Sequence, residues 1–408
     1  MPTVRRLVPW ALLAFVVIGE IAWIQREGDF TGYLTVGELA LSGRDIYRES
    51  PPGINTWPPL FSLLCIPLAL LARPTPYLAR GVWLALNFLL LWTSLKMLAQ
   101  LVHQRTLRLW PDANALSFAS PEILLPAILC YRFVLSNFDH LQVNIVIFTG
   151  ALAGLYWHAR GDDWRGGAAL GLASALKVMP VVFVPYFIYR RCYRMALASA
   201  AATTLFSLSP ILVYGWPRFV DYVGAWRQAI AVGWGVGKMN QSVFAMLDRY
   251  IGHGITPWHA PAVIVLPESG NPIITLASGA ALIAITVAAL WLFRGNTAPD
   301  SPAAIAEYGV VFIVSALFGP LAWKAYLVVL LVPCTLLVGL LRQGILSTAD
   351  RRRVIGALSA FFVLGGLTAP GMVGKRLADT LEMLSFTTLA TLIVLVTLLC
   401  MRPKLTRA

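Results

Sequence analysis

The chain has 408 residues, 58% of them hydrophobic and only 12% charged. A soluble domain carries about 25% charged residues, so this composition leaves too little polar surface to wet a globule, and lipid is the expected solvent. The formal charge of +13 comes mostly from arginines in short clusters between apolar runs, a membrane-topology pattern that excludes nucleic acid as the expected partner.

Arg5 and Arg6 precede the first apolar run, 7–24, and no small-residue cleavage site follows. That run is expected to be a retained first helix rather than a signal peptide. Since a span needs roughly 20 apolar residues, further spans are expected at 79–101, 141–158, 194–214, 272–293, 323–341, 354–373 and 380–401. Weaker candidates lie at 122–136 and 303–318, and 59–72 and 166–189 are anomalous. Pro180 and Pro185 interrupt the second of these, and each half is about 11 residues, or ~16 Å of helix. It is expected to enter and return on one side, with Lys177 near its tip. The segment 59–72 is expected to lie at the outer interface without crossing. That arrangement keeps nearly every arginine cluster, and both termini, inside; the competing topology makes both segments ordinary crossings. Apolar segments recur to the C-terminus, so a soluble body with one anchor is excluded. The fold class expected is all-α: a polytopic integral membrane protein with about 10–12 membrane segments. It reads as one domain, 1–408, with two long extracytoplasmic loops at about 25–58 and 215–271. The second is rich in tryptophan (Trp216, Trp226, Trp234, Trp258), and long loops in compact proteins are usually functional.

Five cysteines and five histidines show no metal-ligand or redox spacing, so no metal and no cofactor is expected. Five short segments carry candidate chemistry. Asp29 follows the first helix, where a carboxylate held at a helix end suits a general base; the plain alternative is a solvated interfacial acid. The same loop continues through Asp45 and Tyr47 to Trp57-Pro58-Pro59, which also fits an interfacial anchor and a helix start. Asp139, Gln142 and Asn144 are polar between apolar segments, so they line a wet cavity or form a polar turn. Lys177 suits an anion such as phosphate, or it snorkels to a surface. Asn240 and Gln241 in GKMNQS suit sugar hydroxyls, or form a turn. Trp323 and Lys324 in GPLAWKAY are binding residues, or an aromatic belt with an interfacial charge.

In order, these segments resemble glycosyltransferase family 87, within the GT-C superfamily. Its best-known members are bacterial polyprenol-phosphate-mannose-dependent alpha-(1-2)-mannosyltransferases. The resemblance rests on Asp29-Phe30 with Tyr33, on Gly43-Arg44-Asp45-Ile46-Tyr47, and on Trp57-Pro58-Pro59-Leu60. It continues in Leu141-Gln142-Val143-Asn144, in Gly171-Leu172 with Lys177 and Pro180, and in Asn240-Gln241-Ser242. Trp57 stands for the family's Tyr, Leu141 stands for its Gly, and Lys324-Ala325-Tyr326 replaces a segment with paired histidines.

The resemblance implies a GT-C-like helical bundle in a bacterial inner membrane. It implies transfer of a hexose, with mannose the expected one, from a polyprenyl-phosphate donor. The acceptor is a lipid- or glycan-linked hydroxyl on the extracytoplasmic side, and the anomeric carbon is inverted. Asp29 would be the base, with Asp45 its rival in the same loop, and Lys177 would hold the lipid phosphate. Tyr33, Asp45, Tyr47, Trp57, Asp139, Gln142, Asn144, Asn240, Gln241, Trp323 and Lys324 would bind substrate. The expected partners are the lipid-linked donor, a glycolipid or glycan acceptor and membrane lipid. The rival readings are a polytopic transporter or lipid flippase, which would show internal repeats, and an inactive envelope-assembly scaffold.

Overall fold

The computed structural model describes residues 2–406 apart from 52, 111, 113, 233–234, 253 and 256–270. Among the described residues the regular elements are all helical, with no strand beyond isolated bridges such as Leu107 with Leu116. Among the described residues, five helical stretches are long and apolar enough to cross a membrane: Pro76–His103, Tyr193–Tyr214, Pro272–Leu292, Lys324–Gln343 and Phe386–Leu405. Shorter apolar helices run over Leu7–Trp23, Pro59–Ala72, Met179–Tyr189 and Pro302–Leu317. The chain is a multi-pass, all-α membrane protein.

It divides into two compact units. The first comprises Met1–Met97, Leu109–Pro111 and Leu135–Gly233; the second comprises Leu98–Arg108, Asp112–Val134 and Trp234–Ala408.

In the first unit α1 (Pro2–Trp23) ends in the turn that carries Asp29, and α2 (Phe30–Leu41) starts directly after it. Packed on α2 is α3 (Pro59–Ala72), whose 14 residues are too short to span lipid. After α4 (Pro76–His103) and α5 (Pro121–Asp139), α6 (Asn144–His158) and α7 (Asp163–Leu176) lie side by side. Asp162 caps α7 by accepting the Arg165 N–H. α7 ends at Lys177, whose backbone is extended. Pro180 explains the stop, because it has no N–H to return to the preceding turn and its ring crowds it. A 3-10 turn (Met179–Val182) and α8 (Phe183–Tyr189) then double back. Phe187 meets His158 with ring centroids 5.0 Å apart, and His158 accepts or donates to Asp163 at the start of α7. The next helix, α9 (Tyr193–Leu208), runs parallel to α7: a Cβ added at Gly167 or Gly171 would collide with Ala198 or Ala202. The 163–189 segment therefore leaves and returns to one level within its unit.

Past Ser209-Pro210 come α10 (Ile211–Tyr214) and α11 (Trp216–Val232). The second expected loop thus opens with a helix of 17 residues. Arg218, Tyr222 and Trp226, spaced by four on one face, donate to the carbonyls of Gly43 (3.1 Å), Arg44 (3.3 Å) and Thr56 (3.2 Å). One stripe of α11 therefore clamps the first loop, which amphipathic spacing alone does not reveal. Trp234 and Trp258 lie outside the described residues.

In the second unit α12 (Val243–Leu247) runs into a π turn (Asp248–Gly252), and then α13 (Pro272–Leu292), α14 (Pro302–Leu317) and α15 (Leu331–Gln343) follow. Side-chain caps start three of these helices, at Ser242, Asn271 and Ser301, as N-capping requires.

Two expected spans are interrupted. The stretch 354–373 becomes α16 (Thr348–Phe361), a π turn (Phe362–Gly366) and α17 (Pro370–Val373). Tyr131 and Arg132 draw off the Gly366 and Gly365 carbonyls there. The stretch 380–401 breaks at Ser385, which is left-handed (φ 59°) between α18 (Lys375–Met383) and α19 (Phe386–Leu405). Arg249 holds that turn by donating to the Ser385 hydroxyl at 2.7 Å.

Candidate active site

Two polar clusters, one in each unit, gather most of the residues expected to carry chemistry. The first is built on the turns at Asp29 and at 140–144. Gly28 is left-handed (φ 50°), and a Cβ there would fall on the His140 carbonyl. The same carbonyl accepts the Asp29 N–H at 3.0 Å. The 140–144 turn is itself pinned, since Trp83 Nε1 donates to the Leu141 carbonyl at 3.0 Å and Gln142 N–H to Asn137 at 2.8 Å. Leu141 takes a left-handed conformation (φ 48°) to make this turn, a conformation in which glycine is the default residue.

From this turn Gln142 Nε2 donates to Asp29 Oδ2, and Asn144 Nδ2 donates to Gln142 Oε1 at 3.1 Å. Lys177 Nζ, from the break after α7, donates to Asn144 Oδ1 at 2.6 Å. The two amides are buried, whereas Asp29 and Lys177 are half-buried at the two ends. Burial pushes the Asp29 carboxyl above its ordinary value, and the Gln142 hydrogen bond and the charges of His140 and Lys177 oppose that rise. The result is a carboxylate with one oxygen held and its proton affinity raised.

The remaining expected residues of this unit surround the turn in different ways. Tyr33 is buried in an aromatic group with Trp57 (4.8 Å between centroids), Phe61 (5.0 Å) and Trp83 (5.7 Å). Trp57 is half-buried and keeps an open part. Asp45 accepts the N–H groups of Tyr47 and Arg48, each at 2.9 Å, and Tyr47 donates to the Trp57 carbonyl at 2.7 Å. Both build the loop itself. Asp139 accepts the Trp23 indole N–H at 2.8 Å, which ties the end of α5 to the end of α1.

The second cluster is built on 235–242, the 320–324 turn and α18. Asn240 donates to the carbonyls of Gly235 (2.7 Å) and Pro320 (2.9 Å), and its Oδ1 accepts the N–H groups of Ser242 and Ala322. Gln241 donates to the carbonyls of Lys238 and Glu382 and accepts from Thr388. Both amides are buried and engaged with the protein, so they hold the turn rather than present groups to a sugar. Lys324 donates to Glu382 at 2.6 Å, and Arg132 meets the same oxygen at 2.5 Å. Lys238 pairs with Asp379 at 2.5 Å. Arg249 donates to the carbonyls of Val236, Gly237 and Asn240. Trp323 is half-buried beside Lys324.

Sequence reading missed Glu382, Arg132, Arg249 and Asp379. Their only signal was the cost of ionised side chains next to apolar segments, which implies partners. Among the described residues no group of three or more His, Cys, Asp or Glu is placed to hold a metal ion.

Comparison with known proteins agrees with the sequence resemblance. The family model for Glycosyltransferase family 87 matches residues 55–320. A polyprenol-phosphate-mannose-dependent alpha-(1-2)-phosphatidylinositol mannoside mannosyltransferase of Mycolicibacterium smegmatis is 26% identical over 350 residues, covering 78% of this chain and 72% of that protein. The protein of the same name from Mycobacterium tuberculosis is 29% identical over 367 residues, covering 82% and 77%. Among solved structures, apo ArnT from Cupriavidus metallidurans aligns over 97% of this chain and 77% of its own, at 14% identity and a TM-score of 0.44.

Proposed function

This chain belongs to glycosyltransferase family 87, and on that premise we propose that Asp29 is the base of a sugar transfer from a polyprenyl-phosphate donor. The chain is a membrane glycosyltransferase, taken here as a single functional domain over residues 1–408. The observation that carries the reading is the Asp29–Gln142–Asn144–Lys177 cluster, which sets a carboxylate and an ammonium at the two ends of one buried hydrogen-bonded run.

In the reaction proposed, the acceptor hydroxyl gives its proton to Asp29 as its oxygen bonds to the anomeric carbon from the face opposite the phosphate. The bond from that carbon to the phosphate oxygen breaks, and the electron pair stays on the polyprenyl phosphate. Inversion follows. A phosphate leaving group needs little acid help, whereas the attacking hydroxyl must lose a proton, so one carboxylate suffices. Lys177 supplies the positive charge for the phosphate, in keeping with its charge-assisted donation in the cluster. Trp57, with Tyr33 behind it, offers an aromatic face to a sugar, and Trp323 and Lys324 are kept as binding positions of the second unit. Asp45, whose Oδ1 already accepts two backbone N–H groups, is a weaker base candidate than Asp29.

The two mycobacterial relatives are named for a polyprenol-phosphate-mannose donor and a phosphatidylinositol mannoside acceptor. Their names support mannose as the sugar and a glycolipid or glycan hydroxyl as the acceptor. The site is proposed to face the extracytoplasmic side of a bacterial inner membrane. Purified protein in proteoliposomes, supplied with labelled polyprenyl-phosphate mannose and a glycolipid acceptor, is expected to yield a mannosylated product. Labelled product from a nucleotide sugar alone, with none from any polyprenyl-phosphate sugar, would overturn the donor. The side is read by cysteine labelling on a Cys-free background: an impermeant reagent on intact spheroplasts is expected to reach Glu49→Cys and not Arg351→Cys, both exposed positions. The reverse pattern would place the site in the cytoplasm.

A further inference from the structure

The hydrogen bonds between Lys177 and Asp29 have an enforced direction. An ammonium only donates and an ionised carboxylate only accepts. Asn144 must therefore turn its oxygen to Lys177 and its nitrogen to Gln142, and Gln142 must turn its nitrogen to Asp29, as the structure has them. Neither amide can rotate alone. If Gln142 turned its oxygen to Asp29, its nitrogen would face the Asn144 nitrogen. If Asn144 then turned as well, its nitrogen would face the ammonium. Backbone movement offers no escape, because Trp83 and Asn137 pin the 141–142 backbone.

We infer that Gln142 and Asn144 are positioning residues that transmit the fixed polarity of Lys177 to Asp29, bar a proton from Oδ2 and make Oδ1 the oxygen that takes the acceptor's proton. A proton on Oδ2 would meet the Gln142 N–H, donor against donor. In the balanced step the acceptor O–H bond breaks, an O–H bond forms at Oδ1, and the Gln142 bond to Oδ2 is kept throughout. Holding one oxygen also fixes the plane of the carboxylate, so Oδ1 is aimed as well as selected. The charged groups facing Asp29 are Lys177, from the turn after α7, and His140, from the turn before α6. The inference rests on Asp29 being the base.

The test is the acid limb of the pH profile of kcat/KM. Asn144→Asp keeps the shape but makes the middle of the run accept only, which forces Gln142 to turn its nitrogen away from Asp29. Its limb is expected to move upward. Part of that movement is the added charge and is independent of Gln142, so the same change is also made in a Gln142→Leu background. The relay predicts that the shift is larger with Gln142 present by about one pH unit or more, a tenfold difference in activity on the limb. Equal shifts in both backgrounds, or lowered kcat with an unmoved limb, would reduce the amides to packing and overturn the inference. Loss of the limb in His140→Gln would assign it to the imidazole and overturn it too. Failure of the underlying reading looks different: Asp29→Asn would then keep its activity, whatever the Asn144 variants do.

Discussion

Lys177 reaches Asp29 through two buried amides, whereas Lys324 and Arg132 touch Glu382 directly. Asp29 is half-buried, and Glu382 has a side chain only 4% exposed. The two carboxylates thus meet similar residue types in opposite arrangements. Both cations converge on Glu382 Oε1, a direct ion pair that makes a strut. Interposed amides keep the cation near enough to matter and leave one oxygen unengaged by them. The spacing between a charge and its partner, more than the inventory of residues, separates the two clusters.

The sharpest break in that comparison is Asp29→Asn. General-base loss is expected to lower turnover by about 10²–10⁴-fold. The change keeps the shape, and the asparagine oxygen can still accept from Gln142, so the unfolding midpoint should move far less than the activity. Turnover and thermal unfolding in detergent check the pair of outcomes. Near-full activity here, with activity lost in Asp45→Asn, would hand the role to Asp45. The pH dependence has a definite sign. The base works only when ionised, and burial raises the Asp29 carboxyl. Activity should therefore be present above the raised value and fall as pH drops through it, with a midpoint above the ordinary aspartate value of about 3.9.

Glu382→Gln is expected to show the converse pattern. Removing the charge leaves the buried Arg132 without its carboxylate and costs about 3–5 kcal/mol, read as a lower unfolding midpoint, with protein that remains folded keeping its pH profile. An unchanged midpoint together with a shifted acid limb would mean that the contrast between the clusters is drawn the wrong way round.

Lys177→Met tests the phosphate role. Losing a charge-assisted hydrogen bond is worth about 1.5–3 kcal/mol, so the donor KM should rise about tenfold or more. An unchanged donor KM would confine Lys177 to its hydrogen bond with Asn144 and remove the phosphate role.

The smallest expected effect concerns the turn that carries Gln142. Leu141 is buried and left-handed (φ 48°), and a side chain there costs about 1–2 kcal/mol of backbone strain. Leu141→Gly and Leu141→Ala both lose the buried side chain, and only glycine relieves the strain. The glycine variant should be the more stable of the two by about that amount. Equal midpoints would show that the turn is unstrained.

Much of the first cluster was legible along the chain. Asp29 sits at a helix end, Gln142 and Asn144 lie two positions apart, and Lys177 precedes a proline that stops its helix, so each carries a local signal. The doubling back of 166–189 was legible for the same reason, since each half is too short to cross lipid and two prolines break it. The helix of 216–232 was hidden because its stripe is mixed: an arginine, a tyrosine and a tryptophan at four-residue spacing do not read as a buried face until carbonyls are found opposite them. The breaks within 354–373 and 380–401 were hidden because hydropathy does not register a distant arginine on the Gly365 carbonyl or on the Ser385 hydroxyl.

Composition, arginine placement and the helix-breaking prolines by themselves determined that this is a helical membrane protein and where most of its helices lie, because lipid obliges the backbone to satisfy its own hydrogen bonds and leaves few other solutions. Tertiary structure alone decided the fate of the ionised side chains. Arg132 and Glu382 are 250 residues apart in the chain, and Asp29 and Gln142 are 113 apart. Over such separations nothing in local spacing distinguishes a carboxylate paired directly with two cations from one that reaches its cation through two amides; only the packing that brings the partners together does.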